Sequence, residues 1–425
     1  MNGFGLSRER FALLFAVMLV AAAGNTAMQS LLPAIGRELG VEDIWVAVAF
    51  SLSAVIWVVT APIWARRADR RGRRALMRLG LYGFIVSMLI CGLALAAGLA
   101  GLAGPMLVFT IFMLGRTFYG ALGSASPPAV QAYIAARTEG SERTAALAAI
   151  ASSFGLGTII GPAIAPLFIV PPLGLSAPLF AFALIAAVVL VLVILRLPDD
   201  TPKNPARGSI IAYPAIGGAG AEPAPDESIP SALSWRDPRV LPWHMIGIVG
   251  GHGHAVLLGV IGFLVIDRLA LPLDQAQQWI AIVLMAGAAA SLFAQWWVIP
   301  QLGLSPRQLV LWGSLIAAAG AAITGLAQGV YALTIGFALA SLGFGLFRPG
   351  FTSGASLAVR LDEQNEVAGQ VTSVNGVAFV AGPALGVWAY GYGLALPFLA
   401  TAMLMLALAA WTAWRFTPSA PAENK

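Results

Sequence analysis

Residues 65–74 read Ala65-Arg66-Arg67-Ala68-Asp69-Arg70-Arg71-Gly72-Arg73-Arg74 and separate a pair of apolar runs, near 44–64 and 76–100. Each run is long enough to cross a bilayer, which takes roughly 20 apolar residues as a helix. A short, strongly basic turn between two such runs is a cap that holds a pair of spans on one side of a membrane. Working outward, apolar runs and breakers give twelve candidate spans, near 11–35, 44–64, 76–100, 105–135, 141–168, 175–196, 241–266, 275–299, 306–327, 330–357, 365–390 and 393–415.

Composition agrees. Of 425 residues 59% are hydrophobic and 10% charged, with mean hydropathy +0.84, whereas a soluble domain carries about 25% charged residues. Such a chain cannot clothe a water-facing surface, which excludes a soluble enzyme, a nucleic-acid-binding protein and a disordered chain. The net charge of +5 is what basic cytoplasmic loops produce, and it predicts no nucleic-acid partner. The lone Cys91 excludes a disulfide framework and a CxxC metal or redox site. Arg8 and Arg10 precede a first span with no small-residue cleavage site after it, so that span is expected to be retained.

The one long connection, 197–240, is rich in Pro, Gly and charge and separates an amino-terminal bundle (1–196) from a carboxy-terminal one (241–416), with a tail at 417–425. With both termini cytoplasmic, 20 of the 24 Lys and Arg lie on the cytoplasmic side. Arg37 and Arg268 fall outside, and Arg116 and Arg348 lie within spans. The expected location is a bacterial-type inner (plasma) membrane. The halves read as weak copies: Ser152–Ala163 is SSFGLGTIIGPA and Ser373–Ala384 is SVNGVAFVAGPA. Parallel six-helix repeats around a central site are a transporter plan.

Three segments carry a family resemblance. The loop at 65–74 resembles the G-x-x-x-D-R-x-G-R-R signature of the major facilitator superfamily, with Ala65 in place of the first glycine. Gly115-Arg116-Thr-Phe-Tyr119-Gly120-Ala-Leu-Gly123 resembles a second signature, R-x-x-x-G-x-G. Gly157-Thr-Ile-Ile-Gly161-Pro162-Ala-Ile-Ala165 resembles the antiporter signature G-x-x-x-G-P-x-x-G-G, with Ala165 and Pro166 where the last glycines stand. The resemblance, closest to the twelve-span drug:proton antiporter branch, implies an all-α polytopic fold of twelve transmembrane helices in two pseudo-symmetric six-helix bundles, with a cavity lined by spans 1, 4, 7 and 10. It also implies a gating loop of Asp69, Arg70, Gly72 and Arg73, with Asp69 meeting the start of span eleven near Asn365. Gly157, Gly161 and Pro162 supply a small-residue face and a bend.

The expected function is proton-coupled export of a small amphiphilic organic compound by a monomer, without cofactor or metal. The alternatives are a symporter importing an organic anion and, more remotely, a membrane-embedded enzyme. No HxxxxD, HExxH, GxSxG or GxxxxGK[ST] occurs. None of the 19 Asp and Glu falls near the middle of a span, and Asp267 is the nearest. Substrate and proton coupling is therefore expected at Arg116 with Tyr119 on its face, the polar pair Asn25 and Gln29, Asn375, and whichever of His252 and His254 faces the cavity, since histidine titrates near neutral pH. Two residues apart on a helix, the histidines point about 200° apart.

Overall fold

The computed structural model describes residues 7–135, 137, 140–198, 233–360 and 363–416. Most of the expected linker and the expected tail lie outside the described residues. Segments that run on without a break make twelve helices: α1 Arg8–Glu38, α2 Asp43–Arg71, α3 Arg73–Leu99, α4 Pro105–Ile134, α5 Gly140–Ile164, α6 Ala177–Arg196, α7 Leu241–Leu269, α8 Leu273–Leu302, α9 Pro306–Leu326, α10 Val330–Leu357, α11 Gln364–Tyr390 and α12 Leu396–Arg415. Among the described residues, ten of them have the length and hydropathy to cross a membrane, α5 and α11 being the others.

Local chemistry sets the helix ends. Ser7 caps α1, its hydroxyl accepting from the amide of Arg10. Ser305 and Gln308 form a capping box at α9, with Pro306 in the first turn. Between α2 and α3 a single residue, Gly72, reverses the chain at φ 83°. That backbone conformation is open to glycine and strained for other residues, which explains the glycine in the basic loop.

Within the first bundle α1 packs on α5, and α3 on α4 and α6; within the second α7 packs on α11, and α9 on α10 and α12. The bundles meet along two seams, α2 with α11 and α5 with α8. Advancing by six helices turns one seam into the other, as a pseudo-two-fold requires. The repeat shows at matching glycines. A Cβ on Gly155 of α5 would lie 2.8 Å from Leu292 of α8, and one on Gly376 of α11 would lie 3.0 Å from Val58 of α2. Outward faces are apolar, with Leu184 and Leu195 on α6 and Met403 and Trp414 on α12 all exposed. An apolar exterior of this kind faces lipid.

Candidate functional site

Arg116 is 3% exposed, in the middle of the first bundle. A charge at such a depth costs at least a few kcal/mol unless it is partnered. Its Nη2 donates to Asn25 Oδ1 of α1 at 2.9 Å. Its guanidinium lies 5.0 Å from the centroid of the Tyr119 ring and 5.4 Å from that of Phe50 on α2. A charge-assisted hydrogen bond contributes about 1.5–3 kcal/mol and a desolvated cation–π contact about 2 kcal/mol, so these contacts offset the burial.

Immediately after Phe118, α4 widens into a π-turn at Tyr119–Gly123. A π-turn accommodates one extra residue in a helix, and here the second glycine of the signature comes one residue late, as Gly123. The widened turn leaves carbonyls to be satisfied from α2. Ser53 Oγ donates to the Arg116 carbonyl at 3.2 Å, Thr60 Oγ1 to that of Gly120 at 3.0 Å, and Trp64 Nε1 to that of Ala121 at 2.6 Å. The backbone that carries Arg116 and Tyr119 is thereby clamped to α2. Gln29, one turn beyond Asn25, is half-buried and makes no hydrogen bond among the described residues.

The two histidines separate. His254 of α7 stacks on Phe344 of α10, centroids 4.6 Å apart and planes at 22°. With Gly250, Arg348, Asn375 and Phe379 it lines a cavity of about 20 Å³, room for about one water. His252 instead pairs its Nδ1 with the carbonyl of Ile248 on its own helix at 2.7 Å. Asn375 donates its Nδ2 to the Val371 carbonyl at 3.0 Å and lines the same cavity.

In α5, Gly157 and Gly161 face α1. A Cβ on Gly161 would stand 2.1 Å from the Ala23 carbonyl oxygen, and Thr26 Oγ1 reaches back to the Gly157 carbonyl at 3.3 Å. Pro162 lies inside the helix, which tightens into a 3₁₀ turn at Ala165–Phe168, where the signature's final glycines are missing. Gly382 is the counterpart in α11, where a Cβ would meet the Ala255 methyl of α7 at 2.5 Å. In the basic loop Arg73 is 2% exposed at the start of α3. The side chains of Asp69, Arg70 and Asn365 lie outside the described residues.

A second polar cluster ties the bundles together at the opposite end from Gly72. Arg37 of α1 holds Asp43 of α2 through Nε and Nη2, both at 2.6 Å. It holds Asp267 of α7 through Nη1 and Nη2 at 3.1 and 3.0 Å. The Tyr390 hydroxyl of α11 donates to Asp267 Oδ2 at 2.7 Å. Sequence reasoning did not join these residues. The signal for them was present: Arg37 is one of only two basic residues outside the spans that break the loop charge bias.

Residues 13–304 match the family model of the Major Facilitator Superfamily. The chain belongs to that superfamily. Among its relatives are the staphyloferrin B transporter of Staphylococcus aureus, 28% identical over 204 residues covering 46% of each chain, and multidrug resistance protein 2 of Bacillus subtilis, 28% identical over 187 residues covering 43% of each. The matched stretches thus span less than half of these relatives. Among solved structures, the human organic anion transporter MFSD10 superposes with TM-score 0.64 at 18% identity, covering 96% of this chain and all of that one. A bacterial homolog of the human lysosomal transporter Spinster superposes with TM-score 0.72 at 12% identity, covering 95% and 96%. These likenesses give the all-α major facilitator fold, and the family makes the chain a multi-pass membrane transporter rather than an enzyme.

Proposed function

We propose that the chain is a secondary active transporter exporting a small amphiphilic organic compound with an anionic group, by alternating access and in exchange for protons. The observation that carries this reading is the pairing across the molecule of two cationic, aromatic sites. Arg116 sits with Asn25, Phe50 and Tyr119 in one bundle, and His254 sits with Arg348 and Phe344 in the other. No Asp or Glu lies near mid-span anywhere in the sequence. An interior of this sign draws anions and repels cations, and its ring faces suit an apolar body. A relative named for multidrug resistance and a structural neighbour named as an organic anion transporter support the same reading. The antiporter-like face of Gly157, Gly161 and Pro162 favours export over import.

The transporter works as a monomer in a bacterial-type inner membrane with both termini cytoplasmic, divided at 197–240. The basic loop gates the cytoplasmic side through Asp69. Arg116 holds the anionic group and His254 carries the proton. Uptake of candidate amphiphilic anions into inside-out vesicles under an imposed pH gradient tests this. Arg116→Ala abolishes uptake, His254→Gln removes its coupling to the pH gradient, and His252→Gln leaves both unchanged. Uptake of organic cations alone, or uptake equally driven by the gradient in His254→Gln, overturns the assignment.

A further inference from the structure

The Arg37 cluster divides unequally between the bundles. Arg37 and Asp43 belong to the first, where they form a bidentate pair of zero net charge. Asp267 and Tyr390 belong to the second. In the closed arrangement one guanidinium serves two carboxylates, so the cluster is formally −1. When the bundles separate at this end, Arg37 keeps Asp43, while Asp267 keeps only the neutral hydroxyl of Tyr390. A carboxylate that loses its cation in a half-buried site gains proton affinity. Proton and guanidinium therefore compete for Asp267.

We propose that Asp267 is a proton-binding site that latches the two bundles, its protonation releasing Arg37 and favouring the state open at this end. The surroundings leave Asp267 as the group that changes partner. The adjacent Arg268 turns away, to Gln328 Oε1 at 2.9 Å and the Gly325 carbonyl at 3.1 Å. Glu38, at the rim, feels the charge of Asp274. Beneath Arg37 lies the Phe263 ring, 5.8 Å from the guanidinium. The titratable groups that α10 and the α11–α12 loop bring to this end are the exposed Tyr331 and Tyr392, and α12 brings none. Linkage is reciprocal: what opens this end raises proton binding, and protons open it.

The proposal rests on alternating access but not on transport of any one compound, and it is read from distance alone. Spin labels at Leu102→Cys and Tyr331→Cys, in a Cys91→Ala background in lipid nanodiscs, report the separation of the bundles at this end by pulsed electron paramagnetic resonance. In the wild type the closed-to-open ratio falls with decreasing pH, by at most about tenfold per pH unit for one proton. Asp267→Asn is shifted to the open distance at every pH. Tyr390→Phe, a milder change, moves the midpoint to higher pH because the carboxylate loses a donor. A closed, pH-responsive Asp267→Asn variant, or a Tyr390→Phe midpoint equal to wild type, overturns the latch. Loss of the response in His254→Gln also overturns it, placing the proton in the cavity and leaving the transport reading intact. One fixed distance in wild type and Asp267→Asn at every pH overturns both.

Discussion

The contact of Gly382 with α7 allows a test in which the structure dictates both damage and repair. Gly382→Ala would place a methyl 2.5 Å from the Ala255 Cβ, with the next neighbours at 3.4 and 3.5 Å. Carbon atoms meet comfortably at about 3.5–4.0 Å, so the two helices must move apart by about 1 Å. Overpacking of this kind costs about 1–3 kcal/mol. The obstruction is one methyl, so Ala255→Gly removes it. In the double variant one helical glycine is lost and one gained, so the propensity terms of about 1 kcal/mol each cancel. The double variant should therefore return to within about 0.5 kcal/mol of wild type, the scatter expected when two changes compensate. The equivalent contact in the first bundle must behave differently. A Cβ on Gly161 meets the Ala23 carbonyl oxygen at 2.1 Å, and no substitution at Ala23 removes a carbonyl. Gly161→Ala should be destabilising with or without Ala23→Gly. Thermal or detergent-titrated unfolding of wild type, the two single alanine variants and the two double variants reads the comparison. Rescue of Gly161→Ala by Ala23→Gly, or no rescue of Gly382→Ala by Ala255→Gly, would refute the packing described for these helices.

Trp64→Phe deletes the donor to the Ala121 carbonyl and should lower stability by about 0.5–1.5 kcal/mol, the worth of one such bond; an unchanged unfolding midpoint would remove the clamp on the π-turn. The hydrogen bond from the Arg239 side chain holds the Asp237 and Glu363 carboxylates below their ordinary values of 3.8 and 4.5. Depressed acids stabilise the fold above the unfolded-state pKa and lose that contribution as pH falls through the folded one. Glu363→Gln and wild type should thus differ in unfolding midpoint by a constant amount between pH 8 and 5 and converge only below about pH 4.5; convergence near neutrality would contradict the pairing. For orientation, a cysteine replacing Asp274 should react with a membrane-impermeant maleimide added to intact cells, and one replacing Gly218 should not.

The twelve-helix plan was legible because a bilayer demands length and apolarity, and because Gly72, Arg116 and Gly161 sit in spacings whose physical purposes differ: a left-handed turn, a buried cation and a backbone contact. The candidate site was only half legible. Two histidines two residues apart must diverge, but which one lines the small cavity inside the second bundle depends on where Phe344 of another helix stands. Asn25 and Gln29 share a face by spacing, yet only Asn25 lies level with Arg116. The π-turn left a faint mark, a glycine displaced by one position, and its meaning needed the α2 donors. The Arg37 cluster joins residues more than two hundred positions apart, beyond what spacing on one helix can reveal.

Gly155 and Gly376 lie close to mid-length of α5 and α11, at matching places on the two seams. Each seam thus has, near its middle, a position without a side chain on which a residue of the other bundle rests. Two bodies that bear on each other near the middle can tilt there: spreading one rim draws the other together. A gap running from face to face would require both seams to part at once. The contacts on which the proposed alternation would pivot are therefore the same ones that close the middle of the molecule.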